Sequence, residues 1–115
     1  MPKKATPEQI LRYADMFAAM GTDSRLRIVQ LLLSAHPDGM VAGEIQTELG
    51  LSASNLSHHL DKLKNEDLIQ VVREGTFLRY RASTEALEDL LNFLYSECCT
   101  RNRAIDPAKI ARICK

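Results

Sequence analysis

A mainly helical α+β domain with one small hairpin is the fold class this chain predicts, and three observations predict it. Apolar residues recur at three- and four-residue spacing through most of the 115 residues. Capping residues, prolines and glycines punctuate those runs at helix-length intervals. Over residues 69–81 the pattern changes to β-branched, aromatic and arginine-rich runs around Glu74-Gly75. The predicted order is four helices, a two-stranded hairpin, a long helix and a short terminal helix, all in one domain spanning residues 1–115.

The first helix opens at Thr6-Pro7-Glu8-Gln9, where threonine caps, proline takes the first helical position and glutamine completes a capping box. Ile10, Tyr13, Ala14, Phe17 and Ala18 form its apolar stripe, and Gly21 closes it near Met20. Thr22 or Asp23 begins the second helix, whose Leu26, Ile28, Val29, Leu31, Leu32 and Leu33 make it apolar nearly all round, as a central helix would be. His36-Pro37-Asp38-Gly39 is a turn. Val41, Ile45 and Leu49 mark the third helix, Gly50 ends it in left-handed geometry, and Ser52 caps the fourth. That fourth helix carries Leu56, Leu60 and Leu63 on one side, with Ser54, Asn55, Ser57 and His58 on the other. Strands at residues 69–73 and 76–81 follow. Ser83 or Thr84 then caps a helix with Leu87, Leu90, Leu91, Leu94 and Cys98, and Asp106-Pro107 opens a final short helix ending in Cys114-Lys115.

Two short helices joined by a tight turn and followed at once by a hairpin form the layout of a winged helix-turn-helix. Short hydrogen-bonding side chains at the start of its second helix suit base edges in a major groove, which makes Ser54, Asn55, Ser57 and His58 the candidate reading residues. Lys62, Arg25, Arg73, Arg79 and Arg81 are the candidate phosphate contacts. Fifteen basic and fifteen acidic residues leave a net charge of zero, which excludes binding through bulk charge. Over residues 51–81, Lys62, Lys64, Arg73, Arg79 and Arg81 stand against Asp61, Glu66, Asp67 and Glu74, a local charge of +1. A two-fold dimer doubles so modest a footprint. Pairing the first and last long helices across that axis would bury both apolar stripes.

No apolar run approaches membrane-spanning length, and Met1-Pro2-Lys3-Lys4 precedes no signal-peptide core, so a cytoplasmic protein is expected. Three cysteines, two of them adjacent, make no disulfide framework. Cys98, Cys99 and Cys114 are candidate metal ligands. A three-sulfur set suits trivalent arsenic or antimony better than zinc, which wants four donors. Over residues 101–115 five basic residues face Asp106 alone, a charge of +4 that favours thiolates. Adjacent helical residues point about 100° apart, so Cys98 and Cys99 meet one ion only where the helix ends or frays.

The run Ser-Asn-Leu-Ser-His-His-Leu-Asp-Lys-Leu at 54–63, then Leu68-Ile69 and the hairpin, resembles the DNA-binding segment of the ArsR/SmtB family of metalloregulatory repressors. The chain departs from that pattern at Asp67, where many members carry glycine, although aspartate tolerates left-handed geometry better than most residues. The resemblance implies a homodimeric repressor on double-stranded operator DNA. Family zinc sites use histidines and carboxylates of the last helix, whereas His36, His58 and His59 all precede it. No cysteine stands in the first helix of the helix-turn-helix, nor anywhere before Cys98, so the Cys-Val-Cys and persulfide-sensing patterns are missing. What remains resembles arsenite-responsive members with a vicinal cysteine pair; Cys114 belongs to no fixed family motif. The expectation is a repressor that leaves its operator when arsenite or antimonite binds Cys98, Cys99 and Cys114, without an organic cofactor. Sensing of oxidants or of cadmium, lead or zinc by the same thiols is the alternative. A thiol-dependent enzyme is remote, because no glycine-rich anion cradle precedes either vicinal cysteine, so the chain is expected not to be an enzyme.

Overall fold

The computed structural model describes residues 5–101 together with Asp106 and Lys109, with backbone alone for 97–101. The elements run α1 (Pro7–Met20), α2 (Asp23–Ser34), β1 (Met40–Val41), α3 (Ala42–Leu49), α4 (Ala53–Asn65), β2 (Ile69–Glu74), β3 (Phe77–Ala82) and α5 (Thr84–Arg101). The expected terminal helix and Cys114 lie, apart from Asp106 and Lys109, outside the described residues.

Helix starts are where the caps predict them. Thr6 N–H donates to Gln9 Oε1 at 2.9 Å and Gln9 N–H returns a bond to Thr6 Oγ1 at 3.2 Å, satisfying two N-terminal donors of α1 reciprocally. The Thr22 hydroxyl accepts from Arg25 N–H at 3.3 Å, and Ser52 Oγ accepts from Asn55 N–H at 3.2 Å. Gly50 ends α3 at φ 66°. The end of α4 is a Schellman motif: Leu68 N–H reaches Leu63 C=O at 3.1 Å, Asp67 N–H reaches Lys64 C=O at 3.0 Å, and Asp67 takes the left-handed position at φ 58°. The departure at Asp67 therefore preserves the turn.

Leu56, Leu60 and Leu63 of α4 meet Ile28 and Leu32 of α2, Ile45 of α3, Leu68 and Ile69 at the hairpin root, Met16 of α1 and Leu90 of α5 in one buried cluster. A three-stranded antiparallel sheet, ordered β1-β3-β2, closes one side.

Four local expectations change. Val41 does not belong to α3: it pairs with Arg79 in β1 and is the N-cap of α3, its N–H donating to Glu44 Oε1 at 3.2 Å. Gly39 causes this, because at φ +75° it lets the chain press so close to β3 that a Cβ would stand 2.1 Å from the Tyr80 carbonyl oxygen. The hairpin turn is Gly75-Thr76 and not Glu74-Gly75, since Glu74 pairs with Phe77 and Gly75, at φ 62°, occupies the first central position as a type II′ turn requires. Helix α2 is not apolar-buried all round: Ile28, Val29 and Leu32 are buried, but Leu26 and Leu33 are exposed. On α1 the core-facing side is not the expected stripe, of which Tyr13 alone is half-buried. Met16 and Ala19 enter the core, leaving Ile10, Leu11, Ala14, Phe17 and Ala18 exposed.

Candidate nucleic-acid interface

With three leucines of α4 committed to the core, helical geometry forces the opposite face outward. Ser54, Asn55, Ser57, His58 and Lys62 are all exposed there, so the structure brings the expected reading residues onto one surface. Ser54 and Asn55 lie in the first turn, where the helix dipole favours an anion such as phosphate. Asp61 shares the exposed face. Sequence reasoning missed it, although its spacing from Ser54, Ser57 and His58 continues the same helical stripe. Burial, then the charge of Asp61, raises the Tyr80 phenol above its ordinary pKa.

His58 and His59 divide between the two environments. The rings stand 5.8 Å apart, His58 exposed and His59 half-buried. Arg25 Nη1 lies 3.4 Å from His59 Nδ1. A guanidinium only donates, so Nδ1 must be the acceptor and the neutral ring carries its proton on Nε2. Burial, then the charges of Arg25, His58 and Lys62, lower the His59 pKa. Arg25 Nε also donates to the Ala19 carbonyl, giving the end of α1 a cation that its own last turn lacks. Arg25 thus fastens α1, α2 and α4 together, and with Lys62 it lines an open cleft of mixed charge beside Asp15 and Glu66.

The three hairpin arginines separate by register. Arg73 pairs with Leu78 one rung from the turn, is exposed, and donates to the nearby Gly75 carbonyl at 3.3 Å. Arg79 is on the other face, held by Glu74 at 2.7 Å and reaching the Gly39 carbonyl at 3.4 Å. That Glu74 hydrogen bond raises its pKa. Arg81 faces Gln70 near the hairpin root, three rungs from Arg73, roughly 10 Å at the usual strand rise. The turn also exposes Phe77, 63% accessible, an apolar tip that composition alone does not signal.

Away from the hairpin arginines in sequence, α1 and α5 pack through stacked Tyr13 and Phe93 rings with centroids 4.4 Å apart. Beyond that contact Ile10, Leu11, Phe17, Leu91 and Leu94 form an exposed apolar surface. The α5 backbone continues as helix through Cys98 and Cys99 to Arg101, so the pair stands within the helix and not at a frayed end, and capture of one ion by both thiols requires this last turn to unwind. Among the described residues no three His, Cys, Asp or Glu side chains gather as a metal site, and no helix is long and apolar enough to cross a membrane.

Comparison with known proteins matches this geometry. A helix-turn-helix domain family matches residues 20–72. The transcriptional repressor SdpR of Bacillus subtilis is 32% identical over 80 residues, covering 70% of this chain and 86% of the repressor. An ArsR-like transcriptional regulator from Rhodococcus superposes with a TM-score of 0.71 at 26% identity, over 92% of this chain and 95% of that one. The homodimeric winged helix-turn-helix DNA-binding domain from Mycobacterium bovis, a possible ArsR-family regulator, has a TM-score of 0.61 at 25% identity, over 92% and 100% of the two chains. These relatives regulate transcription and are not enzymes, which removes the thiol-dependent enzyme. The chain belongs to the ArsR-type winged helix-turn-helix transcription regulators.

Proposed function

We propose that the protein is a homodimeric repressor that holds double-stranded operator DNA and releases it when arsenite or antimonite binds Cys98, Cys99 and Cys114. The observation that carries the DNA half is the exposed row of Ser54, Asn55, Ser57 and His58 beside a hairpin tipped by Arg73. In this reading Lys62 and Arg73 contact phosphates. Arg25, Arg79 and Arg81 act by position: the first two are held by their own hydrogen bonds, and Arg81 sits back from the tip. The apolar surface of α1 and α5 supports dimerisation, as in the homodimeric Mycobacterium bovis domain.

Support for the ligand half is chemical: three soft donors and a basic tail suit a pyramidal As(III) or Sb(III) centre. Since α5 shares the dimer surface, pulling its end alters the spacing of the two α4 helices. Inverting a 99:1 preference for the DNA-bound form requires about 5.5 kcal/mol of differential ligand binding. The test is fluorescence anisotropy of a labelled duplex from the region upstream of the protein's own coding sequence. Arsenite should weaken binding in the native chain but not in Cys98→Ser with Cys99→Ser. Unchanged affinity at saturating arsenite sinks the arsenite reading alone, and parallel titrations with Cd²⁺, Pb²⁺, Zn²⁺ and peroxide identify another effector.

A further inference from the structure

Burial fades along the hairpin: Ile69 and Ala82 are buried at its root, whereas Val72, Leu78 and Phe77 are exposed, and β2 carries the chain roughly 17 Å from Ile69 to Glu74 at the usual strand rise. Phe77 ends this arm. Register puts it on the face that carries Val72, Glu74 and Arg79, opposite to the one that buries Ile69 and Ala82, so the core lies on the wrong side for its ring. The surrounding charge suits a polyanion. Glu74, directly across the strand pair from Phe77, is bound to Arg79 at 2.7 Å, which offsets a carboxylate that would repel phosphate. Arg73, one rung back on the other face, is exposed and forms no ion pair among the described residues.

We infer that Phe77 is a wedge whose ring enters the minor groove of the bound duplex and inserts between two neighbouring base pairs, unstacking them and bending the DNA. This rests on the repressor reading and deepens it, but needs neither the cysteines nor arsenite. Apolar wedges accompanied by arginine are a recurring way to hold a duplex from its minor-groove side, and they turn its axis toward the major groove by about 20–90°. With α4 in the major groove, such a bend folds the DNA around the reading helix. The minor groove is only about 6 Å wide, so one side chain enters while the two strands stay at its mouth, where Arg73 meets phosphate. Gly75 at φ 62° keeps the turn to two residues, which holds the ring on a paired rung and not on a loose loop. Slipping between bases removes both faces of the ring from water. A second copy of the chain is the weaker occupant, because the broader apolar surface of α1 and α5 already offers it a seat.

The experiment reads stacking, bending and affinity separately on the full chain, with duplexes from the region upstream of the protein's own coding sequence. 2-Aminopurine placed at successive positions brightens where a base loses its stacked neighbour, end-to-end energy transfer reports the bend, and anisotropy reports binding. The native chain should brighten one base step in each half-site and bring the duplex ends closer. Phe77→Ala should abolish both signals and weaken binding by about tenfold. Phe77→Leu, still an apolar wedge, should retain most of each. Both variants should melt as the native chain does, the ring being exposed. A bound duplex that stays straight and dark overturns the wedge and leaves the repressor reading standing, as does a bend that survives Phe77→Ala. Dissociation of the dimer in Phe77→Ala, seen by sedimentation velocity, assigns the ring to a second copy and overturns the wedge. No binding by the native chain overturns the repressor reading and the wedge with it.

Discussion

Helices α1 and α4 have 14 and 13 residues and each buries one face in the same core, yet they turn opposite chemistries to the outside. Helix α4 presents short polar side chains; α1 presents Ile10, Leu11 and Phe17. An isolated domain has no reason to leave Leu11 62% and Leu91 63% exposed on neighbouring helices, whereas a self-complementary surface does. Under the proposed function the difference assigns each face its partner: a hydrated, charged polymer for α4 and a second copy for α1.

The most damaging way to break that division is to charge the apolar face. Leu11→Asp with Leu94→Asp should leave the fold intact, both being exposed, but should yield monomers in sedimentation velocity. Losing bivalent engagement should weaken operator binding by about 10²- to 10⁴-fold. Retained dimers would move the two-fold axis elsewhere. A smaller effect is expected on the polar face. Asn55→Ala or His58→Ala should each reduce discrimination between operator and random duplex by about 1–3 kcal/mol, with the melting temperature nearly unchanged. An equal loss on both duplexes would show phosphate contact, not base reading.

The joint between the faces is sharpened by pH. Since His59 titrates below its ordinary 6.5 in the folded chain, chiefly through burial, the unfolded chain takes up this proton first on acidification. Its stabilising contribution is complete above 6.5 and is lost as pH falls through the folded-state value. A protonated Nδ1 would also turn a donor toward Arg25. Melting temperatures of His59→Gln should therefore fall less steeply with acidification than those of the native chain; parallel slopes would remove His59 from the joint. The smallest change is Asp67→Gly. Relief of left-handed geometry contributes up to about 1 kcal/mol, and loss of the exposed Arg12 ion pair at 3.4 Å returns a few tenths. Urea unfolding should show a slight net gain.

The architecture was largely legible because its signals are local. Thr6 with Gln9, Gly50, Ser52 and the leucines of α4 each act within a turn or two of their own position. What escaped is decided by distant neighbours. Nothing near Val41 reveals that β3 offers it an edge, and nothing near Ile10 reveals that Met16 and Ala19 take the core-facing side of α1. In the candidate site the same line holds: the α4 face was readable from spacing alone. The fates of Arg25, Arg79 and Arg81 depend on Ala19, Gly39 and Gln70, up to 40 residues away in sequence.

Val41 belongs to two elements at once, the last residue of β1 and the cap of α3. That leaves no linker between the sheet that carries the hairpin and the first helix of the reading pair. Tip and reading helices must travel as one stiff caliper with a preset gap. A duplex whose groove widths mismatch that gap has to bend or twist to be gripped, and sequences that deform easily would be favoured at positions no side chain touches.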